Sequence, residues 1–200
     1  MQSVATSTSL HALLAHALVL IVVLACSLGN CLAAVPAGCI ATGSIVETCR
    51  DFNGTTLAFT GITAFRNESV FEGLAQVTTL NINYNQQLQA LPGINVLAPL
   101  VNLINFYCQS CGLKSLVGPE LFQHNRRLLR VYVTNGNLES IPEGLLHNLH
   151  DLLYVYVNNN PSLTSLPPGM LTGLTSLQWI KAGNCGLTSV PAGEVQVQQH

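Results

Sequence analysis

One pattern of apolar residues recurs along most of the chain and restricts the folds open to it. Residues 141–167, IPEGLLHNLHDLLYVYVNNNPSLTSLP, superimpose at their apolar positions on residues 166–191, LPPGMLTGLTSLQWIKAGNCGLTSVP. Each unit reads L-x-x-L-x-L-x-x-(N/C/G)-x-L-x-x-(L/I/V), often followed by Pro. A unit this short cannot bury its own apolar stripe, whereas stacked units bury one continuous core. The pattern therefore predicts a solenoid.

Short strands are expected where the repeat reads L-x-L, because alternate residues of a strand point to opposite faces. The inward residue that opens each strand recurs at spacings of 26, 25, 24 and 25, namely at Leu80, Phe106, Val131, Val155 and Ile180. Extending the pattern backward by 25 residues gives Thr55, with Leu57, Ile62, Phe65, Phe71 and Leu74 in phase. We therefore expect about six strands, stacked in parallel into one sheet.

Some thirty positions between residues 50 and 192 obey this template, and the chain here resembles the extracellular type of leucine-rich repeat protein. The resemblance implies an α/β repeat solenoid, a curved horseshoe with a parallel β-sheet on its concave face. It also implies that CIATGSIVETC, which begins at Cys39 and ends at Cys49, is an abbreviated N-terminal cysteine cap closed by a disulfide.

Four regions are predicted: a signal peptide at 1–33, the cysteine cap at 34–54, the repeats at 55–193 and an uncapped tail at 194–200. The apolar run LLAHALVLIVVLACSLGNCLAA ends in small residues, as signal peptides do. No Lys or Arg precedes it, so an uncleaved membrane anchor stays an alternative. After signal removal no membrane span is expected.

Two further expectations concern the ends of the secreted chain. Sequons at Asn53 and Asn67 predict glycosylation in a eukaryotic secretory pathway. The tail carries no second cysteine cluster, whereas solenoids need a polar cap at each end. The sequence therefore favours a fragment or a truncated gene model. The alternatives are self-association through the uncapped end and a minimal edge strand formed by Val195 and Val197.

The C-x-x-C pair at Cys108 and Cys111 has a packing interpretation. In the repeat register Cys108 takes the core position of Ile82, and Cys111 takes the turn position of Asn85. Free cysteine is among the most buried residue types. Cys111 and Cys185 are three repeats apart, about 14 Å at the spacing of strands, too far for a bridge. We therefore expect all three cysteines to be unpaired.

Chemical interpretations of the same pair are weaker. The spacing Cys108-x2-Cys111-x12-His124 matches three ligands of a zinc finger, but the positions for the fourth hold Leu128, Leu129 and Arg130. A redox dithiol needs a helix N-terminus or a base beside one thiol, which a solenoid strand does not provide. Neither a metal nor a cofactor is predicted.

The aromatic residues separate by type between the two faces. All five tyrosines and the one tryptophan fall at outward positions, whereas five of six phenylalanines fall at inward ones, with Phe59 the exception. Tyr and Trp combine an apolar body with a polar tip, which suits a surface that a partner buries. Stacking that merely stabilises the sheet is the alternative. The predicted ligand-binding residues are Tyr84, Asn105, Tyr107, Arg130, Tyr132, Tyr154, Tyr156, Trp179 and Lys181.

Charge and motifs restrict the function. Only 8% of residues are charged and the net charge is -2, so nothing steers the chain toward nucleic acid. The sequence shows no paired acids, no Ser/His/Asp constellation and no glycine-rich phosphate loop. We predict a non-enzymatic recognition protein, secreted or at the cell surface, that binds a protein or glycan. The alternatives are a self-associating matrix or wall component and a secreted dithiol oxidoreductase using Cys108 and Cys111.

Overall fold

The computed structural model describes residues 33–188 and shows short strands joined by turns. Within that range the strands are β1 (Ile40–Thr42), β2 (Ile45–Thr48), β3 (Thr56–Ala58), β4 (Ala64–Phe65), β5 (Thr79–Asn81), β6 (Asn105–Gln109), β7 (Arg130–Thr134), β8 (Tyr154–Tyr156) and β9 (Trp179–Lys181). The predicted tail and all of the predicted signal segment but its last residue lie outside the described residues.

The main sheet has six strands in the order β3-β5-β6-β7-β8-β9, and every neighbouring pair is parallel. Pairing aligns the five predicted inward residues, Leu80, Phe106, Val131, Val155 and Ile180. The first four are buried, and Ile180 on the last strand is partly buried. The predicted solenoid and its register over β5–β9 are therefore confirmed.

The first strand of the sheet lies two residues from its predicted position. Leu57, not Thr55, aligns with Leu80, so the first interval is 23 residues rather than 25. Phe59 then takes the second inward position and is 1% exposed, which makes its predicted outward placement wrong. Its ring meets the edge of Phe65 at 5.4 Å between centroids. This coil pairs with the cap on one side and with another repeat only on the other, so one neighbour rather than two imposes the repeat period here.

The returning halves of the repeats are turns. Between residues 33 and 188 the one helical element is a 3-10 helix, Glu68–Phe71. Pro and Gly interrupt the returns, as in LPPGMLTGL, and both residues disfavour helix. Gly144, Gly169 and Gly173 take positive φ in these turns, where other residues would be strained. The helical part of the predicted class is thus reduced to this single turn of helix.

The N-terminal cap is a hairpin attached to the first coil. Strands β1 and β2 are antiparallel, and β2 continues in parallel onto β4. A disulfide joins Cys39 to Cys49, which confirms the predicted pair. Val46 and Cys49 are fully buried, so the hairpin covers the apolar end of the solenoid that β3 begins.

Buried asparagines at the turn position hold successive coils together. The Asn160 amide nitrogen donates to the carbonyl oxygens of Val133 and Val157, each at 2.8 Å, and its oxygen accepts from the Leu138 backbone N–H at 3.1 Å. Asn85 bonds Phe59, Ile82 and Ile62 in the same way. Buried backbone groups need such partners, so these two amides satisfy groups that stacking removes from water.

The structure contradicts the prediction that Cys108 and Cys111 are unpaired, because a disulfide joins them. Cys108 does lie opposite Val133 in the core, as predicted. After the strand, Ser110 takes a positive φ of 54°. That turn directs residue 111 back toward residue 108, as the same turn directs the Asn85 amide to the carbonyl of Ile82. The two sulfurs therefore meet without any change of register.

Candidate functional site

Three tyrosines form a column on the face of the main sheet opposite the core, which we call the concave face. Tyr107, Tyr132 and Tyr156 occupy the same outward position on β6, β7 and β8. The Tyr107 and Tyr132 ring centroids are 5.2 Å apart, and the Tyr132 and Tyr156 rings stack at 4.4 Å with 6° between their planes. Parallel strands about 4.8 Å apart place equivalent side chains in such contact. We call these three residues the tyrosine column.

A second row of side chains lies beside the tyrosine column. The Tyr154 ring meets the edge of Tyr156 at 6.3 Å, and the Arg130 guanidinium lies 5.4 Å from the Tyr154 ring centroid. Arg130 also donates a hydrogen bond of 3.1 Å to the side-chain oxygen of Asn105. These contacts fix the arginine in place, because a guanidinium has several donors and a flat face to satisfy.

The last strand adds a second cation and the tryptophan. The Lys181 ammonium lies 4.8 Å from the Tyr156 ring centroid. Trp179 pairs with Tyr154 in the strand register and is 50% exposed. Among the described residues its ring contacts no other aromatic ring. It is a large apolar side chain that folding leaves uncovered.

The predicted binding residues therefore fall into three groups. Seven form one continuous set of contacts: Asn105, Tyr107, Arg130, Tyr132, Tyr154, Tyr156 and Lys181. Trp179 adjoins them through strand pairing alone. Tyr84 lies apart, exposed after the end of β5 with a positive φ of 62°.

Packing within the tyrosine column changes the ionisation of its central member. Burial raises the pKa of Tyr132 above its ordinary value, and the neighbouring phenols of Tyr156 and Tyr107 add to that effect. The Tyr132 hydroxyl therefore stays protonated at any physiological pH. It remains a hydrogen-bond donor on the concave face.

Sequence reasoning missed a ladder of amides along one edge of this face. The Asn184 amide nitrogen donates to the Asn159 oxygen at 2.8 Å, and Asn159 donates in turn to Asn135. All three take φ between 54° and 58°, a conformation that Asn tolerates better than most residues. The signal was an Asn placed just before the turn position in three successive repeats. We call these three residues the amide ladder.

Metal-ligating groups and membrane-spanning helices are the two other features relevant to function. Among residues 33–188, no three His, Cys, Asp or Glu side chains are grouped so as to hold a metal ion. His124, the third residue of the zinc-finger spacing, is exposed and contacts Gln123. In the described part of the chain no helix has the length and apolar character needed to cross a bilayer.

Comparison with known proteins agrees with the fold. Residues 126–187 match the family model described as "Leucine rich repeat". Over this segment, about a third of the 200 residues, the chain is similar to leucine-rich repeat proteins. The matched segment begins before β7 and extends beyond β9, and the register of the main sheet carries the same repeats back to Leu57.

One solved structure is similar to part of this chain. It is titled "Structure of the Toll - Spatzle complex, a molecular hub in Drosophila development and innate immunity". Sequence identity is 19% and the TM-score is 0.35. The match covers 65% of this chain and 23% of that chain, so the present chain spans about a quarter of the other's length.

Proposed function

We propose that this protein is a non-catalytic recognition protein that binds a partner on its concave face. One observation carries the proposal, namely the continuous set of contacts that joins the tyrosine column to Arg130 and Lys181. Tyrosine and arginine are the residues most enriched where protein partners bury a surface. Leucine-rich repeats lend support, since solenoids present extended concave surfaces to partners.

The alternative, that these side chains only stabilise the sheet, explains fewer features of the concave face than a binding role does. Stacked tyrosines on neighbouring strands contribute roughly 0.2–1 kcal/mol per pair, which explains the tyrosine column by itself. It does not explain Trp179, which is half exposed. Nor does it explain why both cations of the concave face lie over tyrosine rings. A binding surface accounts for all three features together.

An extracellular location is part of the proposal. The Cys39–Cys49 and Cys108–Cys111 disulfides favour the oxidising secretory route. We propose that the signal peptide is removed after Ala33 or Ala34 and that the protein is secreted or held at the cell surface. Both sequon asparagines, Asn53 and Asn67, are exposed on the cap side and are proposed to carry glycans.

The oxidoreductase alternative requires accessible thiols. Cys108 and Cys111 are 0% and 3% exposed. Thiol–disulfide exchange needs direct attack on a sulfur, so a buried bridge reacts only when the coil opens. No observation on the described residues favours this activity over recognition, and the bridge is assigned a packing role.

The test starts from a defined set of probes. The protein, secreted from the full 200-residue sequence, is used to select binders from a library of random twelve-residue peptides. Affinities of the recovered peptides are then measured for the wild type and for Tyr132→Ala/Tyr156→Ala. We expect the double variant to bind at least about tenfold more weakly, because it removes the centre of the surface.

A matched control separates this effect from general damage. Gln123→Ala/His124→Ala removes two exposed side chains from a turn between strands, off the main sheet. We expect it to bind like the wild type. The proposal fails if the folded tyrosine variant binds the peptides as tightly as the wild type does, or if both double variants lose affinity equally.

A further inference from the structure

Two members of the tyrosine column, Tyr132 and Tyr156, have both ring faces covered. Tyr132 is stacked on Tyr156 and tilted against Tyr107, so both of its faces are covered. Tyr156 is covered by Tyr132 from β7 and by Lys181 from β9. Sugars stack on open aromatic faces, which Tyr132 and Tyr156 do not offer. Each tyrosine of the column still has a phenol group able to donate a hydrogen bond.

Positive charge on the molecule is divided between paired and unpaired groups. Three of the seven Lys and Arg residues form ion pairs, all away from the concave face: Arg50 with Glu72, Arg66 with Glu47 and Lys114 with Glu139. Among residues 33–188 the other four form no ion pair. They are Arg126, Arg127, Arg130 and Lys181, on the concave face or in the turn that leads into β7.

Within residues 33–188, the strands that form the concave face carry no acidic side chain. None of the six strands of the main sheet contains Asp or Glu, and neither do the three residues that follow each strand. The carboxylate nearest in sequence to any of these strands is Asp151, three residues before β8. The equivalent turn before β7 carries Arg126 and Arg127. A protein whose net charge is -2 thus has a locally cationic concave face.

We propose that the partner is an acidic segment of a polypeptide, whose carboxylates meet Arg130, Lys181 and the phenols of the tyrosine column. This inference rests on the proposed function, because it names the chemistry of the partner for that same face. Charged donors and phenol groups both bind carboxylates. The amide ladder beside the column supplies neutral donors and acceptors for a peptide backbone. Trp179 gives such a segment one apolar contact.

Two probe peptides test the charge preference directly. One alternates Glu and Gly, and the other has Gln in place of each Glu. Binding of each labelled peptide to the secreted protein is measured at about 0.01 M and about 0.15 M salt, between which the screening length falls from about 30 Å to about 8 Å. We expect the Glu peptide to bind about tenfold more tightly than the Gln peptide at low salt, and this difference to shrink at high salt.

Variants then locate the effect. Arg130→Gln/Lys181→Gln is expected to weaken binding of the Glu peptide about fivefold, as two partly exposed charge contacts would. The matched control, Arg50→Gln/Lys114→Gln, removes the same charge away from the concave face, and it is expected to bind as the wild type does. Equal binding of the Glu and Gln peptides, or equal losses in both double variants, would overturn the inference.

Two further measurements distinguish the remaining outcomes. Binding of heparin, a sulfated polysaccharide, is measured in the same way. The polypeptide assignment is overturned if heparin binds the wild type but not Arg130→Gln/Lys181→Gln while the Glu peptide does not bind. The variant Tyr132→Phe/Tyr156→Phe keeps the stacked rings and removes two hydroxyl donors, so its affinity for the Glu peptide measures what those hydroxyls contribute. If selected peptides depend on the tyrosine column but the Glu and Gln probes bind alike, the proposed function stands and this inference alone fails.

Discussion

The two faces of the main sheet are built from the same strands by different rules. On the inward face, Leu80, Phe106, Val131 and Val155 follow one another at the repeat period and are buried. On the outward face, the tyrosine column and its cations occupy positions that packing leaves free. The inward face is fixed by the need to bury apolar surface. The outward face is therefore where side chains are available for a partner.

The largest expected difference between the faces is in stability. Phe106→Ala removes a fully buried ring that packs on Phe122 at 5.4 Å, and we expect it to lower the free energy of unfolding by about 3–5 kcal/mol. Tyr107→Ala removes the next residue, on the outward face, and should cost about 1 kcal/mol or less. Urea unfolding followed by circular dichroism measures both. Equal losses would contradict the division of roles.

A smaller effect is expected where the faces meet, at the turn position. Asn160→Ala leaves the Leu138 N–H and the carbonyls of Val133 and Val157 without their partner, and we expect a loss of about 2–3 kcal/mol. Asn158→Ala, two residues earlier on the outward side, is the matched control and should change stability by less than about 0.5 kcal/mol. Comparable unfolding midpoints for the two variants would contradict the account of the buried amides.

The cysteines at the turn position offer a kinetic comparison. Cys185 is partly exposed and free, whereas Cys111 is bonded to Cys108. We expect one alkylated cysteine in the native secreted protein, at Cys185, and reaction of Cys108 and Cys111 only after reduction. Burial raises the pKa of the Cys185 thiol, so its alkylation should become fast at a higher pH than in the unfolded chain. Intact mass against time and pH measures both, and native labelling of Cys108 would contradict the assignment.

The smallest expected effect concerns the ionisation of the tyrosine column. The folded state holds the pKa of Tyr132 above its ordinary value of about 10, chiefly through burial. The unfolded chain therefore loses this proton first, so the contribution of Tyr132 to stability is present below about pH 10 and declines above it. The difference in ultraviolet titration between the wild type and Tyr132→Phe isolates this phenol. A midpoint at or below that of free tyrosine would contradict the burial of this phenol.

The sequence predicted most of the fold because the inward pattern is repeated. Five strand positions, from Leu80 to Ile180, agree with the structure, since each coil imposes the same apolar requirement on the next. The prediction failed at the junction with the cap, where Leu57 rather than Thr55 begins the register. That coil packs against another repeat on one side only, so a single neighbour imposes the repeat period on it.

Features that depend on local backbone geometry were harder to predict. Residue types place Cys108 and Cys111 correctly in the repeat, but their disulfide follows from the positive φ of Ser110. The amide ladder likewise requires the positive φ of Asn159 and its neighbours before their side chains meet. The outward tyrosines were predictable as a group, because strand alternation alone decides which face they occupy.

The central claim is that the tyrosine column serves binding more than folding. The most direct test measures both properties on one variant, Tyr132→Phe/Tyr156→Phe, which keeps two apolar rings in the stack and removes their hydroxyls. The account predicts an unfolding free energy within about 0.5 kcal/mol of the wild type, together with a clear loss of affinity for the selected peptides. Unchanged affinity combined with a large loss of stability would show that the column is a structural feature of the sheet.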